Sequence, residues 1–309
     1  MGSKNNGKIL VAIDGSESAL QTVKYLSGIH ACKEKGVVLL SIYEGVPHYY
    51  WDVSSNPAYL HSSGSVGTLA ASQRKIIVAE LERAKEVLLK SGFSDAGVTL
   101  KPQKRKKGIA RDIIAEAMNG YNLLVLGRKG VTRIEQLIFG SVAAKLVEKV
   151  SFTSLLLVGR GAMPEKLLVA VDGSEGSWNI IDFMGRNLAG YGFSNITLLH
   201  VIRGEIGYHG TVNREIYSAQ EIHQKMTSVM EHMKVRLVDS GFREESVGHC
   251  IIKNAASRAE AILNHARDMG YQTIAIGRKG VSNVPDFSMG RVSNKVIQLS
   301  RGLAVWVIR

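Results

Sequence analysis

Three glycines and a hydroxyl give the first hint of chemistry in this chain. In Leu126-Gly-Arg-Lys-Gly-Val-Thr-Arg-Ile-Glu-Gln-Leu-Ile-Phe-Gly-Ser-Val142, Gly127 closes an apolar run, Gly130 follows a tight turn, and Gly140-Ser141 opens an amphipathic stretch. Without a Cβ, glycine lets backbone N–H groups approach an anion closely, and a helix that starts at Gly140 adds unpaired N–H groups and a positive dipole end. The spacing predicts a phosphate cradle, with Ser141 as helix cap and hydroxyl donor and with Arg128, Lys129 and Arg133 supplying charge. A glycine-rich turn before a capped helix would use the same residues with no ligand. Asp14, after the first apolar run, is by type a turn or helix-capping residue, and its recurrence as Asp172 favours use in a site.

Other chemistries find less support. The chain holds no G-x-S-x-G elbow, no HExxH and no CxxC, and its nine histidines are scattered without ligand spacing. Cys32 and Cys250 are too few and too isolated for a disulfide scaffold or a zinc site, and read as reduced thiols. Met226, Met230 and Met233 recur at helical spacing, the pattern of core filler. Gly2 to Lys8 mimics a P-loop, but Ile9 replaces the metal-binding hydroxyl and the run precedes a strand. No G-x-G-x-x-G follows the first strand, so a standard dinucleotide site is disfavoured.

The elements that must position these residues come in two sets. Leu10-Val-Ala-Ile-Asp-Gly-Ser-Glu17 returns as Leu168-Val-Ala-Val-Asp-Gly-Ser-Glu175, and Gly127-Arg-Lys-Gly-Val131 returns as Gly277-Arg-Lys-Gly-Val281. The chain is a tandem duplication with its joint near Gly159 to Pro164, giving domains 1–160 and 161–309. Short apolar runs predict strands near 8–13, 37–43, 98–101, 122–126 and 154–158, then near 166–171, 196–202, 248–252, 272–276 and 303–308. Helical periodicity predicts helices near 17–29, 72–90, 109–118 and 140–149, then near 176–189, 213–240, 257–269 and 290–299. The class is therefore α/β: two tandem, doubly wound, Rossmann-like domains, each with a five-stranded parallel sheet. Such sheets take ligands outside the carboxyl ends of their strands.

With these residues in place the chain resembles a tandem universal stress protein. Val11-Ala-Ile-Asp-Gly-Ser16 matches the Val-x-x-Asp-Gly-Ser part of the family's Val-x-x-Asp-Gly-Ser-x-x-Ser opening, with Ser18 one place before the final Ser, and Gly127, Gly130, Gly140 and Ser141 match its G-x2-G-x9-G-[S/T] ATP-binding signature. The resemblance implies an adenine nucleotide alpha hydrolase-like fold that binds ATP or AMP, with or without magnesium, across strands one and four. Asp14 would face adenine and ribose, Ala12 would line the pocket, and Ile42 would offer backbone hydrogen bonds to the base. Gly127, Lys129, Gly130, Gly140, Ser141 and Val142 would hold ribose and phosphates. The last strands of the two halves would pair as an intrachain pseudo-dimer, with higher homo-oligomers left open. Slow ATP hydrolysis or self-phosphorylation also occurs among such proteins. In the second half Asp172, Val201, Gly277, Lys279, Gly280 and Gly290 form a degenerate second site. There Arg291 replaces the hydroxyl, either to grip a phosphate or to fill its place, and Pro285-Asp286 stiffen the loop.

Charge narrows the partner. The net charge is +12, with 22 Lys+Arg against 13 Asp+Glu through residue 160 and 17 against 14 after it, so the excess lies in the half with the intact signature. Lys101 to Lys107 holds five cations without interleaved aromatics; a solvated loop is the ordinary reading, and nucleic-acid binding is the sharper, less favoured alternative. A long connection, Gly45 to Ser72, carries Tyr49, Tyr50, Trp51 and Tyr59 and is either a lid or loose surface. No apolar run approaches the ~20 residues of a membrane span, and Met1 to Asn6 lacks a signal core, so a cytoplasmic protein is expected.

Overall fold

The computed structural model describes residues 7–44, 63–128, 140–189, 193–204, 210–212, 215–217, 219–280 and 288–309. The first half runs β1 (Lys8–Ala12), α1 (Glu17–Ser27), β2 (Val37–Tyr43), α2 (Ser63–Lys90), β3 (Val98–Lys104), α3 (Ile109–Ala117), β4 (Tyr121–Gly127), α4 (Ser141–Lys149) and β5 (Ser154–Val158). The second repeats the plan as β6 (Lys166–Ala170), α5 (Glu175–Leu188), β7 (Asn195–Arg203), the small strands β8 (Gly210–Val212) and β9 (Glu215–Tyr217), α6 (Ala219–Asp239), β10 (Val247–Ala255), α7 (Arg258–Asp268), β11 (Thr273–Gly277), α8 (Arg291–Leu299) and β12 (Ala304–Ile308).

The larger sheet has the order β10-β7-β6-β11-β12-β5-β4-β1-β2-β3. Within each half all pairings of this sheet are parallel, and the chain reverses its direction of winding between β1 and β4 and again between β6 and β11. These are the topological switch points where doubly wound sheets hold ligands. At the centre β5 meets β12 antiparallel, with Leu157 opposite Val305, Leu156 opposite Trp306 and Leu155 opposite Val307. The two apolar last strands thus cover each other's edges, and the intrachain pairing expected from the family is present.

The strands read as near-continuous apolar runs because helices cover both faces. Alternate side chains build two cores, each continuous across both halves. Ile9, Val11, Val125, Leu156 and Trp306 join α1, α2, α5 and α6 on one face. Leu10, Leu124, Leu126, Leu157 and Val305 join α3, α4, α7 and α8 on the other. Met230 and Met233 are fully enclosed and Met226 nearly so, the core role their spacing predicts. Cys32 is buried and Cys250 partly so, and neither is bonded to another cysteine.

Two expectations need correction. Helix α2 begins at Ser63, so the connection assigned to Gly45 to Ser72 is helical over its last ten residues; Tyr49, Tyr50, Trp51 and Tyr59 lie outside the described residues. The helix expected over 213–240 starts only at Ala219, preceded by the antiparallel pair β8 and β9.

A buried polar chain fixes the seam. The Tyr25 hydroxyl lies 2.9 Å from the Thr273 hydroxyl and accepts from the Trp306 indole N–H at 3.2 Å, and the Phe183 ring packs on Trp306 with centroids 5.9 Å apart. Tyr25→Phe strands the indole donor without opening a cavity, and should cost about 1 to 3 kcal/mol in urea unfolding. An unchanged midpoint would show that the donor finds another partner.

Candidate functional site

At the first switch point, Ala12 pairs with Leu40 of β2 and Leu126 of β4, so Asp14, Ile42 and Gly127 sit at three adjacent strand ends. Successive strand residues turn their main chains to opposite neighbours. Leu40 accepts from the Ile13 N–H at 2.8 Å on the β1 side, and Tyr43 accepts from the Arg105 N–H at 2.8 Å on the β3 side. Ile42 is in step with Leu40, so its N–H and carbonyl face the β1 side just past the end of that strand. Ala12, Ile42 and Val142 are partly buried and pack against the same apolar cluster, forming its rim.

Asp14 turns the chain from β1 into α1. Its Oδ1 accepts from the Ser16 N–H at 3.1 Å and the Ser16 hydroxyl at 2.6 Å, while Ser16 Oγ caps α1 by accepting from the Ala19 N–H at 3.2 Å. Gly15 takes a φ of +75°, which an L side chain resists. The Asp14 carboxylate stays exposed at the strand edge.

Helix α4 starts at the loop that leaves the neighbouring strand β4. Gly140, with extended φ and ψ, is the cap residue, and among the described residues no side chain caps this end. Ser141 is therefore the first helical residue and not the cap predicted for it. The first-turn N–H groups of a helix have no intrahelical acceptor, so an uncapped start leaves donors for an outside oxygen. The Gly140 N–H itself is used, donating at 2.8 Å to the Arg128 carbonyl and tying together the two ends of the signature loop. Lys129, Gly130 and Arg133 lie outside the described residues.

Arg128 does not serve this site as predicted. Its side chain is only 4% exposed and crosses the seam, with Nη1 donating to the Ser300 hydroxyl at 2.6 Å and Nη2 to the Ile297 carbonyl. Burial pushes this guanidinium down to about 10, so it remains a cation at neutral pH.

The second switch point has the same frame and a different interior. Asp172 Oδ1 accepts from the hydroxyls of Ser174 and Ser177 at 2.5 and 2.8 Å. The loop after β11 lies tight on this turn: a Cβ on Gly280 would stand 2.4 Å from Asp172 Oδ2, and one on Gly176 would stand 2.2 Å from the Lys279 carbonyl. Ser18 holds the place of Gly176 in the first half, and a Cβ there is incompatible with so close an approach. Val201, the counterpart of Ile42, is buried, and its carbonyl accepts from Arg258 Nε at 3.3 Å. Sequence reasoning missed Arg258; the signal was an arginine at the helix start where the first half has Ile109. Gly277 and Gly290 stay at the strand end and helix cap. Arg291 is exposed as the first residue of α8, so its bulk does not fill the cleft. Pro285 and Asp286 lie outside the described residues.

Two of the five cations of the basic run are paired, while Lys104, Lys106 and Lys107 are exposed. Lys101 pairs with Glu116 at 2.6 Å, Arg105 pairs with Glu44, and the N–H groups of Lys106 and Lys107 donate to Asp112 at 2.7 and 3.0 Å. Burial raises the Glu116 carboxyl, but hydrogen bonds from Lys101, Tyr121 and Asn119 outweigh it and hold the group below the usual carboxylate range. Among the described residues no cluster of three or more His, Cys, Asp or Glu could hold a metal ion, and no helix is long and apolar enough to cross a membrane.

Known proteins agree with this frame. The model of the universal stress protein family matches residues 5–158 and again 163–309. Universal stress protein YxiE of Bacillus subtilis (strain 168) is 29% identical over 146 residues, covering 45% of this chain and 95% of YxiE. Universal stress protein Slr1230 of Synechocystis sp. (strain ATCC 27184 / PCC 6803 / Kazusa) is 22% identical over 307 residues, 94% of this chain and 96% of that one. The crystal structure of a universal stress protein from Archaeoglobus fulgidus DSM 4304 has the same fold, with a TM-score of 0.59 at 17% identity and 99% of each chain covered. Matched twice along its length, the chain belongs to the universal stress protein family and carries two of its domains in tandem.

Proposed function

We infer that the first half binds an adenine nucleotide, ATP or AMP, and that the protein acts as a nucleotide-dependent module in a stress response or in signalling. The observation that carries this reading is the start of α4 at Gly140, which no described side chain caps, joined by the Arg128 carbonyl to the end of β4 at the switch point where the main chain of Ile42 faces the β1 side. First-turn N–H groups of α4, the Ser141 hydroxyl and the signature glycines would take ribose and phosphates. Ile42 would pair with the base, Asp14 would take the base and ribose end, and Ala12 would line the pocket. Lys129 would add charge, and any magnesium would arrive with ATP, held by its phosphates and water.

The second half keeps the frame without the room. Arg258 holds the Val201 carbonyl, and Lys279 and Gly280 lie against α5 and Asp172. Binding therefore belongs to the first half, and of the five cations in the basic run Lys101 and Arg105 are held by Glu116 and Glu44. The test is direct. Protein purified without added nucleotide is denatured, and its supernatant is run on an ion-exchange column beside ATP, ADP and AMP standards. An adenine nucleotide near one per chain is expected; a blank trace from a preparation that also fails to take up added ATP contradicts the reading.

A further inference from the structure

Each half carries an arginine directly after the first signature glycine, and each arginine performs the same two tasks. Its main chain closes its own loop: the Arg128 carbonyl accepts from the Gly140 N–H at 2.8 Å, and the Arg278 carbonyl from the Gly290 N–H at 2.9 Å. Its side chain crosses the seam to the carboxyl end of the other half's last helix. Arg128 reaches Ile297 and Ser300 at the end of α8. Arg278 Nη2 donates to the Val147 carbonyl at 2.7 Å and the Glu148 carbonyl at 3.4 Å at the end of α4, while its Nε holds the Ser288 carbonyl at 2.8 Å. The result is a closed ring of β4 end, α4, β11 end and α8, welded by two guanidinium groups.

A guanidinium suits a helix carboxyl end, where carbonyls lack partners and the dipole is negative. It is nonetheless a costly choice for packing alone. Arg278 is 6% exposed and its Nη1 is buried with no hydrogen-bond partner among the described residues, whereas apolar side chains of similar volume often stabilise a seam better than buried charges. What the guanidinium adds is a directional hold on the main chain of α4. That helix is only nine residues long, so fixing its carboxyl end fixes the direction of the N–H groups at its start.

We propose that Arg278 is a positioning residue for the phosphate end of the nucleotide site in the opposite half, acting through α4, and that this is what the second half's Gly-Arg-Lys-Gly sequence does. The role rests on the nucleotide reading above. It also explains how a half with a closed cleft contributes to binding: its signature loop aims the other half's helix.

The test uses the full-length chain, stripped of nucleotide, with ATP and adenosine titrated separately by calorimetry. Arg278→Lys keeps the charge and loses the fork; Arg278→Met removes both, and Arg278→Lys alone suffices if the methionine variant does not fold. ATP affinity should fall about tenfold while adenosine affinity moves less than about twofold, because only phosphates meet the start of α4. Tyr25→Phe, a seam variant away from α4, should leave the ATP-to-adenosine ratio at the wild-type value. An unchanged ratio in Arg278→Lys and Arg278→Met, with wild type binding normally, overturns the positioning role alone. A wild-type chain that binds neither compound overturns the nucleotide reading and this role together.

Discussion

Gly159→Ala should destabilise the protein by about 3 kcal/mol or more. A Cβ at this position would lie 2.5 Å from the Gly302 carbonyl carbon and 2.5 Å from the Leu303 carbonyl oxygen. Both are main chain, just before β12, and cannot swing aside as a side chain can. Relief requires the two halves to part where β5 meets β12, which loosens the contacts of both cores. The φ of Gly159 is not the issue, since only the contact is special here. Gly248→Ala supplies the control, because nothing stands within 4 Å of a Cβ built there and its backbone is ordinary. It should stay within about 0.5 kcal/mol of wild type. Urea unfolding of the two variants checks the pair, and equal midpoints would mean that the seam yields more easily than its backbone contact implies.

Gly140→Val should weaken ATP binding about a hundredfold or more, a loss of about 3 kcal/mol, while the chain remains folded. Gly140 has a φ of −69° and a ψ of 147°, which valine adopts readily, so backbone strain is absent. A poorer cap residue costs about 1 kcal/mol of stability at most sites. The binding loss comes from a branched side chain placed over the N–H groups that would meet the phosphates, where close approach needs a bare backbone. Gly290→Val makes the same change in the second half and should leave ATP binding close to wild type, because the cleft there is already occupied by Lys279 and Gly280. Circular dichroism confirms folding and calorimetry reads the affinity. Equal losses in both variants would assign the nucleotide to both halves.

Much of this frame was legible because it follows from strong periodic signals. Runs such as Leu155 to Val158 are apolar at every position since both sheet faces are covered, and the repeated Leu-Val-Ala opening exposed the duplication without any measure of distance. The glycines of the candidate site were legible for the same reason that they matter, since a missing side chain is visible in sequence. The direction of a long side chain is not. Arg128 stands between Gly127 and Lys129 in a run that looks made for phosphate, yet four flexible bonds let it turn to the other half's helix end. The recurrence of arginine at 278, in a half whose helix starts with Arg291 in place of a serine, carries no sign of which way either side chain turns. The start of α2 was hidden as well, because Ser63 to Thr68 is built of small residues with no apolar stripe. The contacts at Gly176 and Arg258 in the second half come from single changes whose meaning appears only when the strand ends are brought together.

Calorimetric titration of the nucleotide-free full-length chain with ATP tests the central claim most directly. The account predicts one site per chain, abolished in Gly140→Val and kept in Gly290→Val. No heat with wild type, or two equivalent sites of which each variant removes one, would contradict it.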